Sequence, residues 1–266
     1  MRLPKTSQAR RRVQRRLRRG AYLLPSLFTT GNMLLGFYAV VRGINDHFQD
    51  AALLIFVAGV LDALDGRIAR LTGTESDFGR ELDSLADAFT FGAAPALLCY
   101  LWGLNTFDRA GWLIPVFYML AATMRLARFN VQTRIVDSRY FVGLPTPAAA
   151  GAVCALLFFV ERYASEPWFQ ALVAGTLLGV GSLMVSTFRY RSFKNIDLKS
   201  RRSYRLLLPL AAVILIVAYH PAAVLLAIAV VYTLSGPVAW VASRFSRRAH
   251  QDDESSRAAE LPKDEL

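Results

Sequence analysis

Long blocks of apolar residues fill the sequence between residues 22 and 242. They are too long for strands and do not alternate in polarity, so they predict helices. Their lengths match the roughly 20 residues that cross a bilayer core, where a helix satisfies its own backbone hydrogen bonds. We therefore expect an all-α polytopic membrane helix bundle of about eight transmembrane helices. The predicted spans are 22–41, 51–69, 82–103, 110–129, 146–163, 168–189, 205–219 and 222–242.

Basic residues are concentrated between alternate blocks. A net charge of +11 would suggest a nucleic-acid partner for a soluble protein. With a cytoplasmic N-terminus, however, the outer turns hold only three of the 31 Lys and Arg, namely Arg42, Arg109 and Arg162. This bias is the positive-inside pattern of a membrane protein. We expect both termini in the cytoplasm, an even number of spans and no nucleic-acid partner.

The chain divides into three parts on this reading. Residues 1–21 contain nine Lys or Arg within the first 20 positions, which predicts a basic cytoplasmic segment lying on anionic headgroups. Residues 22–242 form the transmembrane domain, and the polar residues 243–266 predict a disordered cytoplasmic tail. The final Lys-Asp-Glu-Leu looks like a lumenal retention address, but a cytoplasmic tail cannot be read by a lumenal receptor. We interpret it as a coincidence.

Four aspartates stand out within the apolar blocks. Asp62 and Asp65 are three residues apart, and Asp83 and Asp87 are four apart, so each pair shares one face of its helix. The short polar linker 71–81 turns the chain between the two helices. Both pairs are therefore expected at the same, cytoplasmic, end of the bundle. This places four carboxylates in one small volume.

Carboxylates in a membrane protein are costly unless something compensates their charge. Oxygen ligands suit Mg²⁺ or Mn²⁺, and two such ions about 4 Å apart are a common clamp for a phosphoryl group. The alternative is a proton or cation relay, as in a transporter. Gly66 and Ala69 leave a smooth strip on the same helix, which suits a flat nucleotide base or, alternatively, close helix packing.

The acids belong to a longer pattern, Asp-x2-Asp-Gly-x2-Ala-Arg-x8-Gly-x3-Asp-x3-Asp, over residues 62–87. It resembles the signature of CDP-alcohol phosphatidyltransferases at every fixed position. The resemblance implies a metal-dependent membrane enzyme with a six-helix core, commonly a homodimer. It also implies that the first three aspartates, Asp62, Asp65 and Asp83, bind the metals and that the fourth, Asp87, is the general base, and we count all four as candidate metal residues.

Three further stretches, 24–32, 125–130 and 141–150, resemble the phosphatidylserine synthase branch of that family. The resemblance implies that CDP-diacylglycerol donates a phosphatidyl group to L-serine, giving phosphatidylserine and CMP. Glycerol 3-phosphate, inositol phosphate and choline stay open as alternative acceptors. The expected location is the bacterial inner membrane, with the active site on the cytoplasmic side.

Other candidate residues follow from the same reading. Arg125 and Arg128 lie three apart at the cytoplasmic end of the fourth span, where they are candidates for acceptor or phosphate binding, or else for snorkelling to the headgroups. Gly175 and Gly179 form a GxxxG pattern typical of close helix packing or a dimer contact. The expected nucleotide and phosphate contacts are Asn32, Gly66, Ala69, Arg70 and Gly79.

Overall fold

The computed structural model describes residues 27–72, 76–132, 140–160, 166–191 and 220–260. The basic segment 1–21 and the seventh predicted span, 205–219, lie outside these residues. The helices, in chain order, are α1 (Leu27–Ile44), α2 (Phe48–Thr72), α3 (Asp77–Asp87), a π-helical turn (Ala88–Ala93), α4 (Ala94–Trp102), a 3₁₀ turn (Leu104–Thr106), α5 (Asp108–Gln132), α6 (Thr146–Val160), α7 (Pro167–Val185) and α8 (Pro221–Glu260).

Five helical segments in the described part of the chain are long and apolar enough to cross a membrane. Thr146–Val160 is a shorter apolar helix, and α2 carries the charged residues of the signature within its second half. The all-α polytopic membrane class is therefore confirmed, while the count of eight spans stays a prediction. The five segments are Leu27–Ile44, Asp77–Trp102, Asp108–Val131, Pro167–Val185 and Pro221–Val241.

Small residues let the helices approach closely. The buried interior is rich in alanine, including Ala51, Ala52 and Ala58 along α2. At Gly36 of α1, an added Cβ would lie 2.6 Å from the Thr90 Oγ1 and 3.0 Å from the Thr90 Cα. Only glycine allows α1 to lie this close to the π-helical turn. Large apolar side chains instead face outward, as expected where lipid is the solvent.

The described residues include one small sheet outside the spans. Strand β1 (Tyr140–Val142) precedes α6 and pairs antiparallel with β2 (Arg189–Arg191), which follows α7. Gly143 then adopts a φ of 81° and donates its N–H to the Phe188 carbonyl at 2.8 Å. This left-handed turn, which favours glycine, leads directly into the buried start of α6. The apolar pattern did not predict these strands, because they lie between membrane blocks.

Tyr190 connects this sheet to α8. Its hydroxyl donates to the Thr233 carbonyl at 3.1 Å, and an added Cβ on Gly236 would lie 2.4 Å from its ring. Burial, with Tyr232 nearby, raises the pKa of Tyr190 to about 12. The end of α7 is thereby fixed against α8.

Helix α8 continues to Glu260, into residues for which the sequence predicts a disordered tail. Alanine, glutamate and arginine are good helix formers, and a helix already anchored by packing extends without a new nucleation step. The disordered cytoplasmic tail predicted for 243–266 stays a prediction. Residues 261–266 lie outside the part that the structure describes.

Candidate active site

One end of the bundle gathers the polar side chains. Here α2 ends, α3 begins, and the last turns of α5 and α7 pack close by. Helix α3 starts at a regular N-cap, because the Ser76 Oγ accepts from the Gly79 N–H at 3.0 Å. Arg80 and Asp77 form an exposed ion pair on its outer side. Asp83 and Asp87 lie further along α3 and meet Asp62 of α2.

Three of the four signature aspartates form a compact cluster. One carboxylate oxygen each from Asp62, Asp83 and Asp87 lies within 4.8 Å of the others. The Asp83 and Asp87 Oδ1 atoms are buried, and no hydrogen-bond partner for either lies among the described residues. Buried acceptors normally have partners, so these orphaned oxygens fit a site for a divalent cation. The cluster can hold a metal ion.

The fourth aspartate, Asp65, lies beside the cluster and faces α1. Its side chain is only 4% exposed, and its Oδ2 accepts a hydrogen bond of 3.1 Å from the Thr29 Oγ1. Asp65 still lies within electrostatic range of Asp62 and Asp83. A spacing of three residues leaves two side chains about 60° apart around a helix, which explains why Asp62 and Asp65 diverge. The structure thus separates the predicted group of four into three plus one.

Thr29 had no assigned role in the sequence analysis. The sequence does contain a pattern that points to Thr29, because it lies three residues before Asn32 and therefore on the same face of α1. Asn32 is fully buried (0% exposed), and its amide nitrogen and oxygen have no hydrogen-bond partner within the described ranges. Its backbone carbonyl accepts from the Thr90 Oγ1 at 3.3 Å. The amide can therefore bind a polar group that the protein itself does not supply.

The predicted nucleotide strip is open on α2. An added Cβ on Gly66 would meet nothing within 4 Å, so space is left beside the first two aspartates. Ala69 and Arg70 continue the same helix, but their side chains lie outside the described set. Gly79 has a local role: its N–H serves the Ser76 cap, and an added Cβ would lie 3.1 Å from the Ser76 Oγ. Nucleotide contacts by these residues stay a prediction.

The two arginines of α5 have different surroundings. Arg125 is 8% exposed, donates from its Nη1 to the Thr146 Oγ1 at 2.8 Å, and lies 5.6 Å from the Phe129 ring centroid. Its Nε has no partner in the described part of the chain, and Asp87 lies within electrostatic range. Arg128 instead reaches the Val185 carbonyl at the end of α7, at 3.4 Å. The two side chains therefore make different contacts, and Arg125 is the one with an established neighbour in the acid cluster.

The fold and the site define a class of protein, namely a polytopic membrane protein with a carboxylate cluster that can hold a metal ion. Comparison with known proteins identifies its family. The sequence profile of the CDP-alcohol phosphatidyltransferase family matches residues 22–188. The chain belongs to this family, so the resemblance drawn from the aspartate signature is confirmed.

Several relatives share the printed name CDP-diacylglycerol–serine O-phosphatidyltransferase. One from Helicobacter pylori (strain J99) is 39% identical over 176 residues, covering 66% of this chain and 74% of the relative. The Bacillus subtilis protein is 34% identical over 171 residues, covering 64% of this chain and 91% of the relative. The Methanocaldococcus jannaschii protein is 34% identical over 157 residues, covering 59% and 71%.

Proposed function

We propose that the protein transfers the phosphatidyl group of CDP-diacylglycerol to the hydroxyl of L-serine, giving phosphatidylserine and CMP. The observation that carries the proposal is the meeting of three carboxylate oxygens, from Asp62, Asp83 and Asp87, within 4.8 Å. The relatives named for this reaction favour serine over the other acceptors. The donor's acyl chains remain in the bilayer, and its pyrophosphate lies at the end of the bundle where the acids meet.

The proposal includes two Mg²⁺ or Mn²⁺ ions held by the signature aspartates. Asp62 and Asp83 supply ligand oxygens, Asp87 lies close enough to contribute, and Asp65 is held ready by Thr29. When bound, such ions neutralise negative charge on the pyrophosphate during displacement at phosphorus. The buried Oδ1 atoms of Asp83 and Asp87 support this assignment, because they lack hydrogen-bond partners among the described residues and carboxylate oxygens are the ligands that these ions prefer.

Asp87 is the proposed general base. It accepts the proton of the serine hydroxyl as that oxygen forms a bond to the phosphorus carrying diacylglycerol. The bond from this phosphorus to the bridging oxygen breaks, and CMP leaves with the electron pair. A base of this kind must lie within hydrogen-bond reach of the attacking hydroxyl, and such catalysis contributes typically 10²- to 10⁴-fold in rate.

The nucleotide is proposed to lie along α1 and α2. Asn32 offers a buried amide with unused donor and acceptor capacity. Gly66 leaves open space beside the acids, which a base or ribose can fill. Ala69, Arg70 and Gly79 complete the proposed nucleotide and phosphate contacts. The hydrogen bond from Thr29 of α1 to Asp65 of α2 supports this placement, because it brings the two helices together beside the acids.

The acceptor's carboxylate is proposed to bind Arg125. A guanidinium matches a carboxylate through two parallel hydrogen bonds, and Arg125 has an unpartnered Nε within the described residues beside an Nη1 already fixed by Thr146. Arg128 was a second candidate, but its contact with Val185 supports a role in joining α5 to α7. Thr146 is therefore proposed to position the Arg125 guanidinium.

Replacing Arg125 tests the acceptor site. In Arg125→Lys the charge remains but the planar fork is lost, so the KM for serine should rise about 10-fold or more, with a smaller change in the KM for CDP-diacylglycerol. Arg80→Lys is the matched control, because Arg80 is exposed and already pairs with Asp77. Equal KM values for serine in the Arg125→Lys variant and the wild type would remove Arg125 from the acceptor site.

A panel of acceptors tests the reaction itself. Membranes containing the protein are supplied with CDP-diacylglycerol and, separately, labelled serine, glycerol 3-phosphate, inositol phosphate or choline. Labelled phosphatidylserine and stoichiometric CMP are expected only with serine. A labelled lipid formed from another acceptor, with none from serine, would keep the reaction class and overturn the substrate.

Orientation and assembly complete the proposal. The positive-inside bias supports an active site and termini on the cytoplasmic side of a bacterial inner membrane. An added Cβ at Gly175 or Gly179 of α7 would meet nothing within 4 Å, so this strip is available to a second copy in the homodimer that the family resemblance implies. A cation transporter is disfavoured, because the acids lie beside the α2–α3 turn and not midway along the bundle.

A further inference from the structure

The helix that carries Asp83 and Asp87 is interrupted immediately after the second acid. Residues Ala88–Ala93 form a π-helical turn, and α4 begins at Ala94 with Pro95 in its first turn. In an α-helix the Phe91 carbonyl would accept from the N–H of residue 95, but proline has none and its ring crowds that carbonyl. A widened turn relieves the crowding, and such π-bulges are frequent at functional sites.

Tyr118 supplies a donor to the carbonyl that Pro95 cannot serve. The Tyr118 hydroxyl lies 3.0 Å from the Phe91 carbonyl oxygen, and the tyrosine is fully buried. In a membrane a backbone carbonyl freed by proline must be satisfied by a neighbouring helix or side chain. A second contact holds the same turn from the other side, where the Thr90 Oγ1 donates to the Asn32 carbonyl.

The π-helical turn changes the phase of the helix by about one residue. Leu85 of α3 and Leu97 of α4 both face outward. An unbroken α-helix would set two residues with this spacing of twelve about 120° apart, whereas absorbing one residue in the wide turn leaves about 20°. The turn therefore lets both helices keep their apolar faces towards lipid. Without it, a packed α4 would rotate Asp83 and Asp87 about 100° away from Asp62.

We propose that Tyr118 is a positioning residue for the acid cluster: its hydrogen bond to the Phe91 carbonyl holds the π-helical turn that keeps Asp83 and Asp87 facing Asp62. Helix α5 also contacts α3 between the two acids, since the Asn130 Nδ2 donates to the Ser84 Oγ at 2.9 Å. This role rests on the proposed metal-assisted transfer, and it identifies the contact that sets the geometry of the metal ligands.

Binding of Mn²⁺ to the purified protein, followed by electron paramagnetic resonance, tests the inference without relying on turnover. Tyr118→Phe removes one hydroxyl and keeps the ring. We expect its Kd for Mn²⁺ to rise about 10-fold, with a similar fall in kcat and little change in the KM for serine. Tyr100→Phe is the matched control, because Tyr100 lies on the exposed face of α4. It should bind Mn²⁺ like the wild type.

Pro95→Ala provides a second variant in case Tyr118→Phe does not fold. It gives the Phe91 carbonyl an α-helical donor and should let the wide turn relax, so Mn²⁺ binding should weaken although Tyr118 is intact. Adding Tyr118→Phe to Pro95→Ala should then change the Kd by less than about twofold, because the two residues act on one carbonyl.

The outcomes separate this inference from the proposed function. A folded Tyr118→Phe protein with unchanged Mn²⁺ affinity, or one that loses only thermal stability, would overturn the positioning role alone. Pro95→Ala with wild-type affinity would do the same. A wild-type protein that binds no Mn²⁺ would overturn the metal assignment and this inference together.

Discussion

Asp87→Asn is expected to lower CMP release from CDP-diacylglycerol by roughly 10²- to 10⁴-fold, because an amide cannot accept the proton of the attacking hydroxyl. The carboxylate belongs to the cluster with Asp62 and Asp83, and its Oδ1 is buried without a partner among the described residues. The measurement is the rate of CMP formation at saturating CDP-diacylglycerol and serine, so that the loss registers in kcat.

Asp77→Asn is the matched control for this variant. Asp77 lies on the same helix, ten residues before Asp87, but it is exposed and pairs with Arg80. It should keep a rate within about twofold of the wild type, since surface ion pairs contribute little. A normal kcat in a folded Asp87→Asn protein would exclude Asp87 as the base and leave the metal ligands to be tested separately.

Removal of the divalent cation should have an equally large effect. Excess EDTA is expected to stop CMP release, and added Mg²⁺ or Mn²⁺ should restore it, while Ca²⁺ serves as a comparison with different size and ligand number. In Asp62→Asn one charged ligand is lost, so activity should fall at least about 10²-fold and half-maximal activity should require more Mn²⁺.

Thr29→Val separates Asp65 from the other acids in the same assay. It removes the hydroxyl that donates to the Asp65 Oδ2 and leaves the cluster of three untouched. Its effect should be smaller than that of Asp62→Asn. Full activity of the wild type after exhaustive chelation would contradict the metal proposal, whatever the variants show.

The sequence predicted the membrane helices because a helix that crosses the hydrocarbon core must be both long and apolar. The spans 51–69 and 110–129 correspond to α2 (Phe48–Thr72) and α5 (Asp108–Gln132), which extend further at both ends. Hydropathy marks the part of a helix that lies in lipid, so it misses polar turns that continue beyond the bilayer.

The candidate site was predictable to the level of helix faces. Spacing predicted that all four signature aspartates share one pocket; the structure brings one oxygen each of Asp62, Asp83 and Asp87 within 4.8 Å, and the roles of these residues stay predictions. It did not show that Asp65 faces Thr29, that Arg125 and Arg128 diverge, or that a π-helical turn follows Asp87. These features depend on contacts with α1, α5, α6 and α7, and residues far apart in sequence determine them.

Mn²⁺ located directly within the protein would test the central claim most directly. The measurement is an anomalous difference map from crystals grown with CDP-diacylglycerol and Mn²⁺, recorded at the manganese edge. Density is predicted between Asp62, Asp83 and Asp87, within coordination distance of their carboxylate oxygens. Manganese bound elsewhere, or these three side chains turned away from one another around an ordered substrate, would contradict the account.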